Sequence, residues 1–331
     1  MKGFNKKTLR ISRGYLYTYY TIDGDKSLPT LFFQHGWPDN AELWKDVAYP
    51  LRVTKHPIIV PDLLGYDGTD KPTDPREYAW NKLLPDLIEI ADKEDAHKLI
   101  SIGHDFGSVC ASHLYCYYRD RVVGLVNINV PYDPPSREPF DLDAFNAFTQ
   151  RKFGYTFFGY WYLFTADDGP QVLQKDPGRL YEVLHGQGED NLKKFFGVRD
   201  FLRNHLLNGG LHVPVRPYAQ DETAKQAFID RFNRDGFDGP QCWYKARFLN
   251  IQYECDKDLP LDRDTVNVPA LFLGGKDDSI CRPESMIPHI QAGLLPKLEQ
   301  RDLFDAGHWM PLEIPNELVR SIEQWLKKNY T

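Results

Sequence analysis

The stretch KLISIGHDFGSVC, residues 98–110, decides the fold of this chain. An apolar run leads into a Gly-x-Asp-x-Gly pattern centred on Asp105, and a run that predicts a helix follows. This strand-turn-helix order is typical of a nucleophile elbow, a sharp turn that holds a reactive side chain at its tip. We expect Gly103 and Gly107 to be required there, because a side chain at either position would collide with the turn. The pattern alone is weak evidence, since turns rich in glycine and aspartate are common.

Elsewhere in the chain, short apolar runs alternate with longer amphipathic stretches. This alternation predicts one large α/β domain with a mostly parallel central sheet flanked by helices. The predicted strands occupy residues 14–20, 30–34, 57–61, 98–102, 122–129, 268–274 and 298–304. The predicted helices occupy residues 41–53, 79–94, 107–119, 284–293 and 314–328.

The strand pattern stops between Pro131 and about Asp258. This region opens with the proline-rich sequence PYDPPSREP, where a helix cannot continue, and its apolar residues then recur at helical spacing. We therefore expect a core domain of residues 1–130 and 260–331, interrupted by an inserted helical cap domain of residues 131–259.

Composition narrows the class of protein and its partners. The formal charge of -7 comes from 47 acidic and 40 basic residues without a basic run, so nucleic acid is not an expected partner. The N-terminal sequence lacks the apolar segment of a signal peptide, and no window is apolar enough to predict a membrane span.

The odd number of cysteines predicts free thiols in a reducing compartment, and hence a cytoplasmic enzyme. No pattern identifies an interface between copies, which leaves the oligomeric state open. The five cysteines are Cys110, Cys116, Cys242, Cys255 and Cys281.

Two further segments supply the partners that a nucleophile at position 105 would need. Asp277 and Asp278 follow an apolar strand in LFLGGKDDSICRP, and His308 lies in DAGHWMPLEIP before the last predicted helix. The chain order nucleophile, acid, histidine fits a catalytic triad on this kind of sheet. Taken singly, the two aspartates would be interpreted as a turn pair and the histidine as a surface residue. Their joint placement at successive strand ends is what indicates catalysis.

The segment FFQHGWPDN follows another predicted strand. Its simplest interpretation is a tight turn containing glycine and proline. Its functional interpretation is an oxyanion hole, in which the backbone N–H groups of Trp37 and Phe106 stabilise a developing negative charge. A carboxylate at position 105 needs no base before it attacks, because it is already anionic at neutral pH and displaces at saturated carbon directly.

The segments HGWP, PDLLGYDGTDKP, GHDFGS, GGKDDSICRP and AGHW together resemble the α/β-hydrolase-fold epoxide hydrolases of the soluble type, over residues from about 10 to 328. The resemblance implies the α/β-hydrolase fold with a cap domain. It also implies that Asp105 is the nucleophile and His308 the base. Asp278 matches the acid of the family, five residues before Pro283, and Asp277 is the alternative.

The family uses two cap tyrosines to protonate the epoxide oxygen. Its motifs resemble FGYWYLF and CWYKARFLN, which implies Tyr160 and Tyr244; without the resemblance either one would be interpreted as packing. Two departures occur: Phe106 stands where many relatives have tryptophan, and Asp67 stands where relatives often have glycine. The first preserves the backbone donor, and the sequence gives no role for the second.

The expected reaction opens a small epoxide through an ester on Asp105 and hydrolyses that ester to a vicinal diol. No metal or organic cofactor is expected, since the chain has neither metal-ligand spacing nor a glycine-rich phosphate loop. An apolar or aromatic substrate is expected from four aromatic residues that are candidates for the pocket lining: Trp37, Phe106, Trp161 and Trp309.

Two alternatives are open. A haloalkane dehalogenase of the same fold also has an aspartate at the elbow. Its halide is usually held by indole or amide N–H donors, one of which is often an asparagine after the His-Gly pair, whereas this chain has Trp37 there and Phe106 after the elbow. A non-catalytic, hydrolase-like binding protein would keep the pocket and lose the triad, whereas Asp105, Asp278 and His308 are all present here.

Overall fold

One sheet organises the molecule. The structure, a computed structural model, describes residues 1–188 and 190–330, with the backbone alone at residues 299–301. The eight strands of the described residues are β1 Asn5–Arg10, β2 Leu16–Ile22, β3 Thr30–Gln34, β4 Ile58–Pro61, β5 Leu99–His104, β6 Val122–Ile128, β7 Ala270–Gly275 and β8 Leu298–Phe304. Their order is β1-β2-β4-β3-β5-β6-β7-β8. The pairs β1/β2 and β2/β4 are antiparallel and all other pairs are parallel, which confirms the predicted mostly parallel sheet.

Helices cover the sheet and fill the long connection between β6 and β7. The α-helices of the described residues are α1 Lys45–Ala48, α2 Trp80–Lys93, α3 Phe106–Tyr117, α4 Leu142–Phe153, α5 Trp161–Phe164, α6 Gly169–Gln174, α7 Pro177–Leu184, α8 Asn191–Gly197, α9 Phe201–Asn208, α10 Glu222–Asp235, α11 Asp238–Phe248, α12 Ile251–Asp256, α13 Ile287–Gln291, α14 Met310–Glu313 and α15 Pro315–Tyr330. Short 3-10 helices occupy Ala41–Trp44, Pro50–Thr54, Pro75–Tyr78, Pro217–Ala219, Leu261–Asp264 and Pro283–Met286. None of these helices combines the length and the apolar character that a membrane span needs.

The central strands are apolar because both faces of the sheet are covered. Every residue of β3, β4, β5 and β7 is buried. Parallel strands buried on both faces read as continuous apolar runs, and this is the signal by which the sequence predicts them. All seven predicted strands are present.

The edge strand β1 is not predicted by the sequence. Its residues NKKTLR are polar and mostly exposed, so they lack the apolar run that marks the inner strands. Backbone pairing with β2, from Asn5 opposite Thr21 to Arg10 opposite Leu16, holds it in the sheet. Charged side chains on an edge strand also oppose pairing with another chain.

The single helices expected over residues 41–53 and 284–293 are wrong. The first stretch contains a 3-10 helix, then α1, then a second 3-10 helix that begins at Pro50. Proline has no N–H to continue the hydrogen-bond ladder of an α-helix, so the helix ends before it. The second stretch is likewise a 3-10 helix, which begins at Pro283, followed by α13.

The parallel strands bring distant segments to one edge of the sheet. Gln34 at the end of β3 lies opposite Gly103 in β5, and His104 lies opposite Ile128 at the end of β6. The loops that follow β3, β5, β6, β7 and β8 therefore meet at the carboxyl edge, where α/β proteins bind their ligands. The nine α-helices from α4 to α12 follow β6, and the indole N–H of Trp243 in α11 donates to the Leu64 carbonyl 2.9 Å away. The division into core and cap domains stays a prediction.

Candidate active site

Asp105 stands at the tip of a strained turn between β5 and α3. Its backbone has φ 54° and ψ -128°, a conformation that residues with a side chain rarely adopt. A Cβ atom at Gly103 would lie 2.0 Å from the Gly107 carbonyl oxygen, and one at Gly107 would lie 2.0 Å from the Gln34 carbonyl oxygen. Both glycines are therefore required by the close approach of backbone, as the sequence predicts. This strained turn places Asp105 immediately before α3, outside the helix itself.

Backbone donors hold the Asp105 carboxylate. The Trp37 N–H donates to Oδ1 at 2.8 Å, and the Phe106 N–H also donates to this carboxylate. A Cβ atom at Gly36 would lie 2.3 Å from the same Oδ1 atom, so only glycine lets the loop after β3 come this close. The structure thus brings together the two backbone donors of the predicted oxyanion hole.

His308 lies between two carboxylates. Its Nδ1 is 2.6 Å from Asp278 Oδ2, and its Nε2 is 3.5 Å from Asp105 Oδ2. The side chain of Asp278 is fully buried, and its Oδ1 accepts hydrogen bonds from the N–H groups of Ile280 and Cys281 at 3.0 and 2.8 Å. Asp277, the alternative acid, is exposed. The geometry therefore favours Asp278 as the partner of His308.

The three groups set each other's charge. Burial alone would raise the pKa values of Asp105 and Asp278, but the positive charge and hydrogen bonds of His308 hold both below their ordinary value of 3.8. Burial alone would lower the pKa of His308, but the two carboxylates raise it well above 6.5. In the free protein the site therefore holds two carboxylates and an imidazolium ion, and Asp105 is anionic.

Two phenols of the helical segment line a cavity together with this carboxylate. Tyr160 precedes α5 and Tyr244 lies in α11; their rings are 5.9 Å apart and only 8% and 2% exposed. Burial raises the pKa of both phenols well above 10, and the charge of Asp105 raises it further. Both hydroxyls therefore remain protonated and are available as hydrogen-bond donors.

One family model matches the part of the chain that carries the elbow and the triad candidates. The model described as alpha/beta hydrolase fold covers residues 29–315. The chain belongs to the α/β-hydrolase fold family. The fold class that the motifs predict is thereby confirmed.

Similar curated proteins are named epoxide hydrolases. This α/β hydrolase is 26% identical over 310 residues to bifunctional epoxide hydrolase 2 of Sus scrofa. The aligned region covers 90% of this chain and 51% of that protein. It is 25% identical over 313 residues to epoxide hydrolase A of Mycobacterium tuberculosis, which covers 92% of each. The chain spans about half the length of the mammalian relatives it matches.

Solved structures agree on the fold. Epoxide hydrolase A from Mycobacterium thermoresistibile matches with a TM-score of 0.79 at 24% identity, over 98% of both chains. An epoxide hydrolase from Vigna radiata matches with a TM-score of 0.74 at 19% identity, over 98% of both chains. The resemblance to epoxide hydrolases that the motifs predict is confirmed by these similarities, whereas the roles of individual residues stay predictions.

The aromatic residues predicted to bind substrate divide between two cavities of the hydrolase. A cavity of about 480 Å³ is lined by Phe106 and Trp161, and a second cavity of about 20 Å³ by Trp37 and Trp309. Both cavities are lined by Asp105. All four side chains are therefore close to the candidate nucleophile.

Two supporting residues are missed by the sequence analysis. His104 Nε2–H donates to the His308 carbonyl oxygen at 2.8 Å, and burial lowers the pKa of His104 to about 4, so it is neutral. Asn129 Nδ2 donates to Asp278 Oδ2 at 3.0 Å and to the Gly307 carbonyl oxygen at 3.2 Å. His104 is the last residue of β5 and Asn129 directly follows β6, so both lie at the carboxyl edge of the sheet. That position is the one signal by which the sequence could have indicated them.

One group of side chains has the residue types of a metal site. Ligand atoms of Asp278, Cys281 and His308 lie within 4.8 Å of one another. This set does not fit a resident metal ion, because the short hydrogen bond between His308 and Asp278 already uses those atoms. Burial also raises the pKa of the Cys281 thiol to about 12, and a neutral thiol is a poor metal ligand. The expectation that no metal or cofactor takes part stays a prediction.

Proposed function

We propose that this α/β hydrolase is an epoxide hydrolase that converts an epoxide to a vicinal diol. One observation carries the proposal: an anionic carboxylate on a nucleophile elbow, Asp105, faces two buried and protonated phenols, Tyr160 and Tyr244. A carboxylate displaces at saturated carbon, and the phenols supply the proton that a leaving epoxide oxygen requires. The names of the similar proteins support this reaction.

In the first step Asp105 attacks a carbon of the epoxide ring. A C–O bond of the ring breaks, an ester forms on the carboxylate, and a phenol gives its proton to the released oxygen. As the ester forms, Asp105 loses its negative charge, and negative charge builds up on the ring oxygen beside the phenols. Since the charge of Asp105 is one cause of the raised pKa values of Tyr160 and Tyr244, its removal makes both phenols better acids at the moment when the oxygen needs a proton.

The second step hydrolyses the ester. Esterification removes one of the two carboxylates that raise the pKa of His308, so the imidazolium ion loses its proton more readily. That proton restores the phenol that gave up its own in the first step, and neutral His308 becomes available as a base. Neutral His308, held by Asp278, takes a proton from water, and the hydroxide attacks the Asp105 carbonyl carbon. The tetrahedral intermediate then breaks its bond to the diol oxygen, which takes the proton from His308. The carboxylic acid of Asp105 that results gives its own proton to His308, so the diol leaves and the starting carboxylate and imidazolium ion are recovered.

The oxyanion of that intermediate needs donors that are already in place. The Trp37 and Phe106 N–H groups hold a carboxylate oxygen of Asp105 in the free protein. A donor fixed before the reaction stabilises the developing charge without reorganisation. We assign the oxyanion hole to these two groups.

Residues 131–259 form the cap in this proposal, since they carry both phenols and cover the nucleophile. We also propose a cytoplasmic location. The five cysteines are free thiols. Free thiols are usual in a reducing compartment.

The proposal is tested with styrene oxide. The expected product is phenylethanediol, and a single turnover in heavy-oxygen water should place the label in the Asp105 carboxylate, detected by peptide mass spectrometry. This label distinguishes a covalent ester from direct attack of water on the epoxide. A protein that binds styrene oxide, forms no diol and acquires no label would be a binding protein instead.

A haloalkane dehalogenase is the second candidate, and one observation favours it. The indole N–H of Trp37 is buried without a hydrogen-bond partner among the described residues, and Trp37 lines a cavity beside Asp105. A halide leaving group would accept from it. However, a halide needs no proton, which would leave the two phenols without a function. Release of bromide from 1-bromohexane at a rate above that of diol formation would favour this candidate.

A further inference from the structure

We infer that the site is built for epoxides with a single long arm, in which one ring carbon bears a large apolar group and the other bears hydrogen or a group no larger than methyl. This inference rests on the proposed epoxide hydrolysis and deepens it. It comes from the unequal space on the two sides of the nucleophile. The cavities of about 480 Å³ and about 20 Å³ share Asp105 and Tyr160 as lining residues, so the reacting groups stand where the two spaces meet.

The large cavity has room for the long arm. Its inner wall is aromatic: the rings of Phe158 and Trp161 are stacked 4.7 Å apart, and Phe140 lies 5.3 Å from Trp161. Volumes of 300–1,000 Å³ with apolar walls are typical of pockets that bury most of a small ligand. At its outer end the cavity is lined by Glu138, which is exposed, so this side of the site reaches the surface.

The small cavity has room for one water molecule. A volume of roughly 10–15 Å³ holds one water, so about 20 Å³ leaves space for one water or one methyl group. Asp105 and His308 both line it, which makes it the place from which a water can reach the ester. A second long arm would have to enter this space and would displace the water that the second step consumes.

Helices α7 and α8 close the small cavity. Leu184 is the last residue of α7 and Phe196 lies near the end of α8; both are buried and both line it. The ring of Phe196 lies 4.5 Å from that of Tyr160, so this wall is in contact with one of the phenols. Close packing makes it costly for such a wall to yield to even one additional methylene group.

Three isomers of epoxyoctane test the inference, because they differ only in the position of the ring along the chain. In 1,2-epoxyoctane one carbon has no alkyl arm, in trans-2,3-epoxyoctane it has a methyl group, and in trans-4,5-epoxyoctane both carbons have propyl arms. We expect similar kcat/KM values for the first two isomers and a lower value for the third, by roughly 10- to 200-fold for each methylene that the small cavity cannot accept. Equal values for the first and last isomers would overturn the inference and leave epoxide hydrolysis intact.

Variants of Leu184 and Phe196, which form the wall of the small cavity, provide a second test. Phe196→Ala should raise kcat/KM for the 4,5-isomer relative to the 1,2-isomer by at least tenfold. The control is Phe195→Ala, since Phe195 is adjacent and equally buried but packs on Phe201 and His205 and lines neither cavity. An unchanged ratio in a folded Phe196→Ala protein would contradict the inference.

A second pair covers the case in which loss of Phe196 disturbs Tyr160. Leu184→Ala should also raise the ratio, whereas Leu180→Ala on the same helix should not, because Leu180 is buried but lines neither cavity. A ratio that rises equally in both variants would indicate general loosening and would count against the inference. A wild-type protein that converts styrene oxide but none of the three isomers would overturn the inference alone, whereas one that converts neither would refute the proposed function as well.

Discussion

His104 donates a 2.8 Å hydrogen bond from its Nε2–H to the backbone carbonyl oxygen of His308. The bond joins the end of β5 to the loop after β8, and so it fixes the candidate base with respect to the elbow that carries Asp105. Because His104 is buried and its pKa is lowered to about 4, the donor is a neutral imidazole at every pH at which the enzyme would work. His104 is thus a positioning residue, since its own ring nitrogen contacts the backbone of His308 and not the nucleophile.

We expect His104→Ala to slow ester hydrolysis more than ester formation. Loss of a buried hydrogen bond costs about 1–3 kcal/mol, which corresponds to roughly 5- to 150-fold in a rate if the cost appears in the transition state. Rapid mixing with styrene oxide, followed by intact mass, measures both steps. His56→Ala is the control, because His56 also bonds a backbone carbonyl, that of Pro29, far along the chain from the triad. Equal effects of the two variants on both steps would contradict the assignment.

His308→Gln should separate the two steps completely. Ester formation needs only anionic Asp105 and a proton donor, whereas ester hydrolysis needs a base. The variant should therefore react once and gain the mass of one styrene oxide molecule, with turnover reduced by roughly 10²–10⁴-fold. Adding Asp105→Asn to the same protein should abolish the mass gain. Rapid full turnover by His308→Gln would remove this histidine from its proposed role.

Replacing both Tyr160 and Tyr244 by phenylalanine should prevent ring opening in a folded protein. In the proposed mechanism their hydroxyls are the proton donors of the first step, and such donors contribute roughly 10²–10⁴-fold to a rate. Each single variant should lose less, because the remaining phenol still donates. Tyr155→Phe is the matched control: its hydroxyl bonds the Ser279 carbonyl, and Tyr155 lines neither cavity. Diol formation by the double variant at the wild-type rate would refute the donor assignment.

The sequence predicts the parts of this site that depend on local pattern. The elbow around Asp105 is visible because a buried strand, two glycines and a helix stand next to one another in the chain. Asp278 and His308 are visible because each follows a predicted strand, and parallel strands end at a common edge. The tyrosines Tyr160 and Tyr244 are visible only through the resemblance, since no local pattern distinguishes them from packing residues.

Contacts between distant segments are what the sequence does not predict. Asp67 has φ 38°, in the left-handed region that glycine adopts most easily, and the sequence gives no reason for an aspartate there. In the structure its carboxylate accepts from Arg234 Nη2 at 2.7 Å and from Asn40 Nδ2 at 3.0 Å. The first bond connects the loop after β4 to α10, and the second connects it to the loop after β3. Neither partner is near Asp67 in the chain. β1 is missed for a related reason, because only pairing with β2 makes its polar residues a strand.

A buried histidine outside the candidate triad predicts that the stability of the fold depends on pH. His113 in α3 has acceptors at both ring nitrogens: Nε2 is 3.0 Å from Asp256 Oδ2, and Nδ1 is 3.0 Å from the Val109 carbonyl oxygen. Since both partners only accept, both nitrogens carry protons, and the ring is an imidazolium ion stacked 4.4 Å from Trp80. Asp133 lies 3.8 Å away and Arg247 bonds Asp133 in turn. Burial alone would lower the pKa of His113, but Asp256 and Asp133 raise it above 6.5.

The contribution of His113 to the stability of the fold should decrease as the pH rises. Because the folded pKa of His113 exceeds the unfolded value of 6.5, its contribution to stability is complete below pH 6.5 and is lost as the pH rises through the folded pKa. The difference in unfolding free energy between wild type and His113→Phe should therefore shrink with rising pH, by at most about 1.4 kcal/mol per pH unit. Urea denaturation from pH 5 to pH 10 measures it. His56→Phe provides the control of opposite sign. Burial lowers the pKa of His56, so the difference in unfolding free energy between wild type and this variant should change only below pH 6.5. A difference for His113→Phe that stays constant over this range would mean that His113 is neutral in the folded protein.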